Sequence, residues 1–314
     1  MSKMKEEPSL ILTKLREFEK WMGFETEIKW LTAFVAFSYH VLAVYWCYHY
    51  ALPVKWQSVI FAYAMVCFSG FGITAGAHRY WAHKAFKATT PLRIIMLLGF
   101  ASAGQNTIYQ WVRNHRIHHK YSDTESDPHN RERGLFFSHI GWLLMKKKPE
   151  VTSKAKEIDM SDIENDALLT WHRKHLDIVN PLMTFVIPTL IGMVLWGETW
   201  KAAVAWQCCI RFLFVYHSEL TVNSLGHTIG YKPYDTSINP AENAIISALT
   251  GGEGWHNFHH SFPFDYKAAE WSHTFDFTTD LIHFFEKFGW VYDKREVTKD
   301  FIKKYAEQHA KFSS

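Results

Sequence analysis

Long apolar stretches alternate with strongly charged stretches along this chain. Apolar runs of about 20 residues match the hydrocarbon thickness of a bilayer, whereas the segments between them are dense in Lys, Arg, Asp, Glu and His. A soluble protein with hydrophobic helices is the alternative, and runs of this length disfavour it. The pattern predicts an all-α protein built on a bundle of four transmembrane helices, at about 28–51, 56–77, 181–197 and 201–226.

Two short connections, at 52–55 and 196–199, join these spans in pairs. Both termini and both long polar segments therefore fall on one side of the membrane. Lys and Arg are concentrated in those segments, which makes their side cytosolic by the positive-inside rule. With no signal-peptide pattern near the N-terminus, the first apolar run is expected to direct membrane insertion.

The polar segments at about 78–180 and 227–314 are predicted to form a helical cytosolic cap. Together with the spans, they give a single integral membrane domain at 28–314, preceded by a cytosolic amphipathic segment at 1–27. Within the cap, residues 91–111 predict a helix in the interface or beneath the cap.

Two further helices are predicted in the polar segments. A capping box at 161–164 starts a helix that is expected to run to about His175. Residues 294–312 predict a charged peripheral helix.

Three histidine clusters stand in or next to the predicted cap. Two of them repeat one spacing: His115, His118 and His119 in HRIHH, and His256, His259 and His260 in WHNFHH. Residues at i, i+3 and i+4 lie on one face of a helix, so each triplet can direct its imidazoles at a shared centre. In HRYWAH, His78 and His83 are five residues apart, about 140° around a helix axis. That pair is predicted to straddle a helix end, where the chain unwinds.

Eight clustered histidines exceed the coordination of one ion, so two metal ions are predicted. Imidazole suits iron, zinc and copper alike, and the residues alone do not choose among them. His227 supplies a ninth imidazole at the exit of the last span, and Asn223, four residues earlier, can hold a metal-bound water. The other ten histidines, His129 among them, are predicted to have no role at the metals.

Composition adds little to this picture. The formal net charge of +3 gives no argument for nucleic-acid binding. All four cysteines fall inside the apolar runs, which predicts reduced, buried thiols.

The sequences around the histidines resemble membrane acyl-CoA desaturases of the stearoyl-CoA type. The resemblance covers nearly the whole chain after about Phe71. Histidine boxes alone are less specific, because membrane hydroxylases and sterol-modifying oxygenases carry similar ones. The motifs that carry the resemblance are GITAGAHRYWAH, QWVRNHRIHHKYSDTESDPHN, RGLFFSHIGWLL, WGETW, NSLGHTIGYKPYD and GGEGWHNFHHSFPFDY.

The resemblance implies a di-iron enzyme of the endoplasmic reticulum membrane. Two Fe²⁺ ions, bound by the nine histidines with Asn223 holding a water, would use O2 and two electrons to insert a double bond, of the Δ9 type, into a long-chain acyl-CoA. Because no HPGG haem-binding signature occurs, electrons are expected from cytochrome b5 and its NADH-dependent reductase. The alternatives are a di-iron hydroxylase, a desaturase of different regiochemistry, and a zinc-binding membrane transporter or structural protein.

The resemblance also assigns substrate contacts. Positively charged side chains suit the phosphates of CoA, although Lys146 to Lys148 as a group could equally form a basic patch on the membrane surface. Without the resemblance, Trp111 would be interpreted as core packing. The residues placed near the CoA head or along the bent acyl tunnel are Gln105, Asn106, Trp111, Arg113, Lys146 and Lys147.

In the second predicted span, small residues stand where the resembling family often has a side chain that closes the acyl tunnel. Val66 stands where the family often has a tyrosine at the far end of the tunnel, and Gly70 is one turn away. A deeper tunnel that accepts longer chains is the hypothesis that follows. Near the CoA head, Asn114 replaces a common Asp.

Glu219 and Leu220 replace a Thr and a Trp that line the tunnel bend in the family. Since the bend decides which carbons face the metals, the position of the double bond stays open. An ionisable residue within a span is functional by default. The equal alternative for Glu219 is an ion pair with Arg211 or His217.

Overall fold

The computed structural model describes residues 10–270 and 275–310, which are mostly helical. The parts of the predicted terminal segments at 1–9 and 311–314 lie outside the described residues. The α-helices of the described part are α1 (Leu10–Trp21), α2 (Trp30–Tyr50), α3 (Trp56–Phe71), α4 (Thr90–Ser102), α5 (Ile108–Tyr121), α6 (Trp142–Leu144), α7 (Pro149–Ala155), α8 (Ser161–Glu164), α9 (Ala167–Lys174), α10 (Leu176–Pro181), α11 (Ile187–Trp196), α12 (Trp200–Val204), α13 (Phe212–Ser224), α14 (Ala244–Thr250), α15 (His256–Ser261), α16 (Phe277–Lys287) and α17 (Lys299–His309).

Segments of π-helix and 3₁₀-helix connect several of these α-helices. Four segments are π-helical: Gly72–Ala82, Phe137–Gly141, Leu182–Val186 and Ala205–Arg211. Two are 3₁₀-helical: Arg131–Arg133 and Leu225–His227. The short antiparallel strands β1 (Lys87–Ala88) and β2 (Val291–Tyr292) join the two ends of the cap.

Within the described residues, three helices are long and apolar enough to cross a membrane: Trp30–Tyr50, Trp56–Ala82 and Leu176–Trp196. They coincide with the first three predicted spans. In place of the fourth, α12, a π-helical segment and α13 follow one another without a break from Trp200 to Ser224. Polar residues such as Arg211 and Glu219 reduce the hydropathy of this run, so the fourth span stays a prediction.

The predicted helix from 161 to His175 is broken into α8 and α9. Asp166 ends the continuity, because its carboxylate accepts hydrogen bonds from the backbone N–H groups of Leu168 and Leu169 and caps a new helix. A side chain that caps backbone donors competes with helix continuation. Ser161 makes no such cap at the start of α8, so the capping box was read at the wrong residue.

The predicted helix at 91–111 is likewise two helices, and α4 is buried beneath the cap. Its side chains Leu92, Met96, Leu97 and Phe100 are all at most 1% exposed. They form one core with the π-helical segment Gly72–Ala82 and with cap residues. This core fixes the position of the segment Gly72–Ala82, and therefore of His78.

Replacing Gly72 by alanine is expected to destabilise the protein by about 1–3 kcal/mol, since overpacking forces backbone shifts. A Cβ at Gly72 would lie 2.0 Å from the Phe100 nitrogen and 2.2 Å from the Gly99 carbonyl carbon. Gly70→Ala is the matched control, because a Cβ there meets nothing within 4 Å. Thermal unfolding in detergent measures both, and equal melting temperatures would contradict the close packing.

Candidate metal centre

Nine histidines from four parts of the chain converge on one region of the structure. Within each of two groups, one nitrogen per residue lies within 4.8 Å of the others. The first group contains five histidines and the second contains four. The groups are His78, His83, His115, His119 and His259, and His118, His227, His256 and His260.

The Nε2 atoms of these rings point at one another. In the first group, Nε2 of His259 lies 2.9 Å from Nε2 of His78 and 3.0 Å from Nε2 of His119. In the second, Nε2 of His256 lies 3.0 Å from Nε2 of His227 and 3.2 Å from Nε2 of His260. Two nitrogens bound to one ion at about 2.1 Å lie about 3 Å apart. The spacing therefore suits two metal ions, one in each group.

Local helix geometry places most of these rings. Thr107 starts α5 with its hydroxyl, which accepts from the Gln110 backbone N–H, and the i, i+3 and i+4 spacing puts the α5 triplet on one face of that helix. Within α15, the side chain of Asn257 turns away and bonds the backbone of Tyr234, Asp235 and Pro240. That anchoring fixes the helix whose other face carries the second triplet.

The first cluster reaches the centre by a wide helical turn. The prediction that His78 and His83 straddle a helix end is confirmed, because the helix ends at Ala82 and His83 is its C-cap residue. Up to that end the segment is π-helical and does not unwind. The backbone N–H of His83 donates to the His78 carbonyl at 3.1 Å. Because π-helical hydrogen bonds join residues five apart, the two rings are neighbours, with centroids 4.9 Å apart.

Burial keeps most of these imidazoles uncharged. Burial, and then the neighbouring imidazoles, hold the pKa values of His119, His259 and His260 well below the ordinary value for histidine. A neutral imidazole has the free lone pair that a metal needs. The donor set is nitrogen only, so it fits iron, zinc or copper and does not fit magnesium or calcium.

Three carboxylates orient the ligand rings from behind. Oε2 of Glu253 lies 2.7 Å from Nδ1 of His78, and Oδ2 of Asp127 lies 2.8 Å from Nδ1 of His118. Oδ2 of Asp123 lies 3.0 Å from Nδ1 of His227. Each contact leaves Nε2 free to face the centre, an arrangement typical of metal-binding histidines.

Sequence reasoning missed these carboxylates, although they lie inside the motifs quoted above. The available signal was the acidic run SDTESDP directly after the α5 triplet and the Glu of GGEG directly before the α15 triplet. His129 was also placed outside the site. Its ring is buried 4.3 Å from the His118 ring, and it forms a further possible metal-binding group with His118 and Asp127.

Asp127→Asn is expected to weaken metal binding about 10- to 100-fold, the usual cost of losing such an orienting partner. Burial raises the pKa of Asp127, but the charges of His118 and His129 outweigh it and hold the pKa well below the ordinary value. The wild-type group is therefore a full carboxylate acceptor. Titration with a competing chelator measures the affinity, with the exposed Asp293→Asn as control. Equal affinities in the two variants would contradict the orienting role.

A cavity of about 480 Å³ extends from the histidines between the helices. Of the predicted substrate contacts, Val66, Gly70, Trp111 and Glu219 line it, as does Asn223. Leu220 does not: its side chain is 0% exposed, because it points about 100° around α13 from its neighbour Glu219.

Glu219 has a different partner from those predicted. Its Oε1 accepts a hydrogen bond of 2.7 Å from Nε1 of Trp111. Arg211 instead donates to backbone carbonyls, and His217 contacts two other histidines, so neither proposed ion pair exists. Trp111 stacks on the His115 ring at 4.9 Å. Glu219 thus fixes Trp111 against a candidate metal ligand.

The predicted residues for the CoA head separate into two places. Arg113 and Lys147 line a second cavity of about 500 Å³ at the surface of the cap. Lys146 is not among its lining residues and pairs with Glu27 at the exposed surface. Burial, and then the charge of Arg113, lower the pKa of Lys147 to about 8. An anion bound between these two side chains would relieve that repulsion.

Gln105 and Asn106 line neither cavity. Their backbone carbonyls accept hydrogen bonds from the side chain of Asn180, which fixes the turn between α4 and α5. Gln105 nevertheless stands next to Glu219.

The fold and the site together define a helical membrane protein with candidate sites for two metal ions in a histidine-rich cap. Residues 54–296 match the family model described as "Fatty acid desaturase". The chain is 41% identical to the Delta(9)-fatty-acid desaturase fat-7 of Caenorhabditis elegans over 303 residues, which cover 96% of this chain and 89% of that protein. The chain therefore belongs to the fatty acid desaturase family.

Relatives with other printed activities are about equally similar. An acyl-CoA Delta(11) desaturase of Trichoplusia ni is 46% identical over 286 residues, covering 90% of this chain and 81% of that protein. The stearoyl-CoA desaturase of Homo sapiens is 44% identical over 231 residues, covering 74% of this chain and 64% of that protein. Identity alone therefore does not choose between the two double-bond positions.

Proposed function

We propose that this protein is an oxygen-dependent fatty acyl-CoA desaturase of the Δ9 type with a di-iron centre. The observation that carries the proposal is the convergence of nine imidazoles on the end of an apolar cavity. Relatives named as acyl-CoA desaturases, at 44% and 46% identity, support the same substrate class. When bound, two iron ions would supply, with O2 and two electrons, the oxidising power that removes two hydrogens.

The residues of this chain hold and position the substrate. The apolar cavity excludes water from the acyl chain, while Arg113 and Lys147 face the phosphates of CoA as charged donors. Trp111, held by Glu219 at 2.7 Å, forms the wall beside His115 and decides which carbons stand at the metals. Asn223 lines the cavity beside the histidines and holds a water there by hydrogen bond.

The membrane arrangement completes the proposal. Trp200 to Ser224 forms a fourth span, so that both termini and the histidine cap lie on the cytosolic side of the endoplasmic reticulum. Residues 28–314 then form one integral membrane domain. Electrons come from cytochrome b5 and its NADH-dependent reductase, whose acidic surface is attracted to the basic side of the cap.

Expression in a desaturase-deficient yeast tests the proposal. Mass spectrometry of the fatty acids should show monounsaturated products that disappear in His119→Ala, and the purified protein should contain about two irons per chain. The position of the double bond distinguishes a Δ9 from a Δ11 product. A hydroxylated product would support the hydroxylase alternative, and stable zinc without O2 consumption would support a transporter or structural protein.

A further inference from the structure

The apolar cavity continues far beyond the metal centre along α3. Val59, Val66 and Gly70 line it, as does His78 at its metal end. These residues recur at intervals of about one or two helical turns, so they form one stripe on one face of the helix. The cavity is therefore a groove that follows the helix, and it is not confined to the neighbourhood of the histidines.

The opposite wall has the same length. Trp206, Ile210, Phe214, Ser218 and Val222 line the groove at intervals of four residues along the run from Trp200 to Ser224. Since this run and α3 are antiparallel in the predicted topology, Trp206 stands at the far end with Val59. Two walls of matching length, both mainly apolar, suit an extended hydrocarbon chain.

The space beside Gly70, the smallest residue of the α3 stripe, is open. A Cβ at Gly70 would have no heavy atom within 4 Å. Farther along, Val59 is 40% exposed and Tyr63 is 70% exposed, so the far end opens sideways onto the surface that faces lipid. A chain that passes Gly70 follows the lining residues Val66 and Tyr63 towards Val59.

The length of the groove sets the length of its occupant. From Val59 to Gly70 the stripe covers about 16 Å, at about 1.5 Å per residue. An extended hydrocarbon advances about 1.25 Å per carbon, given single-bond lengths and angles, so this part alone holds about 13 carbons. The eight residues from Gly70 to His78 add room for roughly eight carbons more.

We infer that the substrates of this enzyme include saturated acyl chains of about 24 to 28 carbons, whose distal carbons lie between α3 and the run from Trp200 to Ser224. This inference rests on the proposed function, which places roughly nine carbons between the thioester and the metals. Chains of 16 or 18 carbons fill only the part of the groove near the metals and leave the far half to bilayer lipid.

The first experiment measures kcat/KM of the purified enzyme, with its electron donors, on acyl-CoAs of 16, 18, 20, 24 and 28 carbons. We expect the value for 24 carbons to equal or exceed the value for 18. A value for 24 carbons at least tenfold below that for 18 overturns the inference and leaves bilayer lipid as the occupant of the far groove. If no acyl-CoA of any length is desaturated, the proposed function itself fails.

The second experiment places plugs along the stripe. The variants are Gly70→Leu, Val66→Trp and Val59→Trp. Gly70→Leu and Val66→Trp should each reduce the ratio of 24-carbon to 16-carbon turnover at least tenfold. The upper chain-length limit should shift by about five carbons between plugs at 70 and 66, and by about eight between 66 and 59. Ile60→Trp is the matched control, because Ile60 is 59% exposed and lies off the groove.

The inference is tested by how the chain-length limit depends on the position of the substituted residue. A limit that moves in step with the plug position supports a groove occupied by substrate. Equal ratios in Val66→Trp and Ile60→Trp overturn the inference even if both enzymes remain active on 16 carbons.

Discussion

Replacing His259 by alanine is expected to abolish desaturation and to reduce bound metal from about two ions to about one ion per chain, because only the first group loses a ligand. Nε2 of His259 lies 2.9 Å from Nε2 of His78 and 3.0 Å from Nε2 of His119, so its loss removes the nitrogen that joins two other ligands of the first group. Burial, and then the neighbouring imidazoles, lower the pKa values of His115 and His119, so these two rings stay neutral. They cannot replace the lost donor by changing protonation. Metal analysis and product analysis on the same preparation measure both effects.

His175→Ala provides the matched control for this variant. His175 is exposed and bonds the Trp171 carbonyl of its own helix through Nδ1, so its removal deletes an imidazole without touching the centre. We expect metal content and product yield of this control to equal those of the wild type. If His259→Ala keeps two metal ions and its activity, the first group of histidines is not a metal site.

Much of the candidate site could be read from the sequence because its signal is local. A triplet at i, i+3 and i+4 faces one direction whatever the rest of the fold does, and both triplets therefore converge as expected. The contribution of Asp127 and Glu253 is not local in this way. Their positions behind particular ring nitrogens depend on how the cap folds onto α5 and α15, which no spacing rule specifies.

The incorrect predictions also have physical causes. Between His78 and His83, an α-helical angle was applied to a segment whose hydrogen bonds join residues five apart, so the rings come closer than the α-helix allows. Leu220 was placed at the tunnel because it stands at a family position that lines the tunnel bend, but in this protein only its neighbour Glu219 lines the cavity, since adjacent residues on a helix point in different directions. Asp166 divides a helix that hydrophobic spacing alone would continue.

Hydropathy identifies some of the predicted membrane-spanning segments and not others. The first three apolar runs are long enough for composition to identify them. The run from Trp200 to Ser224 is helical but carries Arg211, Glu219 and several other polar groups, because it forms a wall of the cavity. A helix that supplies polar groups to a site necessarily has a weaker hydropathy signal.

Arg79→Leu is expected to destabilise the protein by about 3–5 kcal/mol, the usual cost of breaking a buried ion pair by removing one partner. The Arg79 side chain is 1% exposed, and its Nη2 donates to Glu253 at 2.9 Å and to Asp276 at 3.1 Å. Without the guanidinium, both buried carboxylates lose their counter-charge. Burial raises the pKa of Glu253, and the charges of His78 and Arg79 outweigh it to give about 2, so the carboxylate depends on these partners.

This loss also reaches the metal centre, because Glu253 orients His78 through a 2.7 Å contact. The melting temperature in detergent should fall by roughly 10 °C, and metal affinity should fall with it. Lys87→Met is the control: it breaks an exposed pair with Asp293, and exposed ion pairs contribute little to stability. Arg79→Lys keeps the charge but loses the planar fork that reaches two carboxylates, so its melting temperature should lie between those of the wild type and Arg79→Leu. Equal melting temperatures for Arg79→Leu and Lys87→Met would show that the buried network does not hold the cap on the second span.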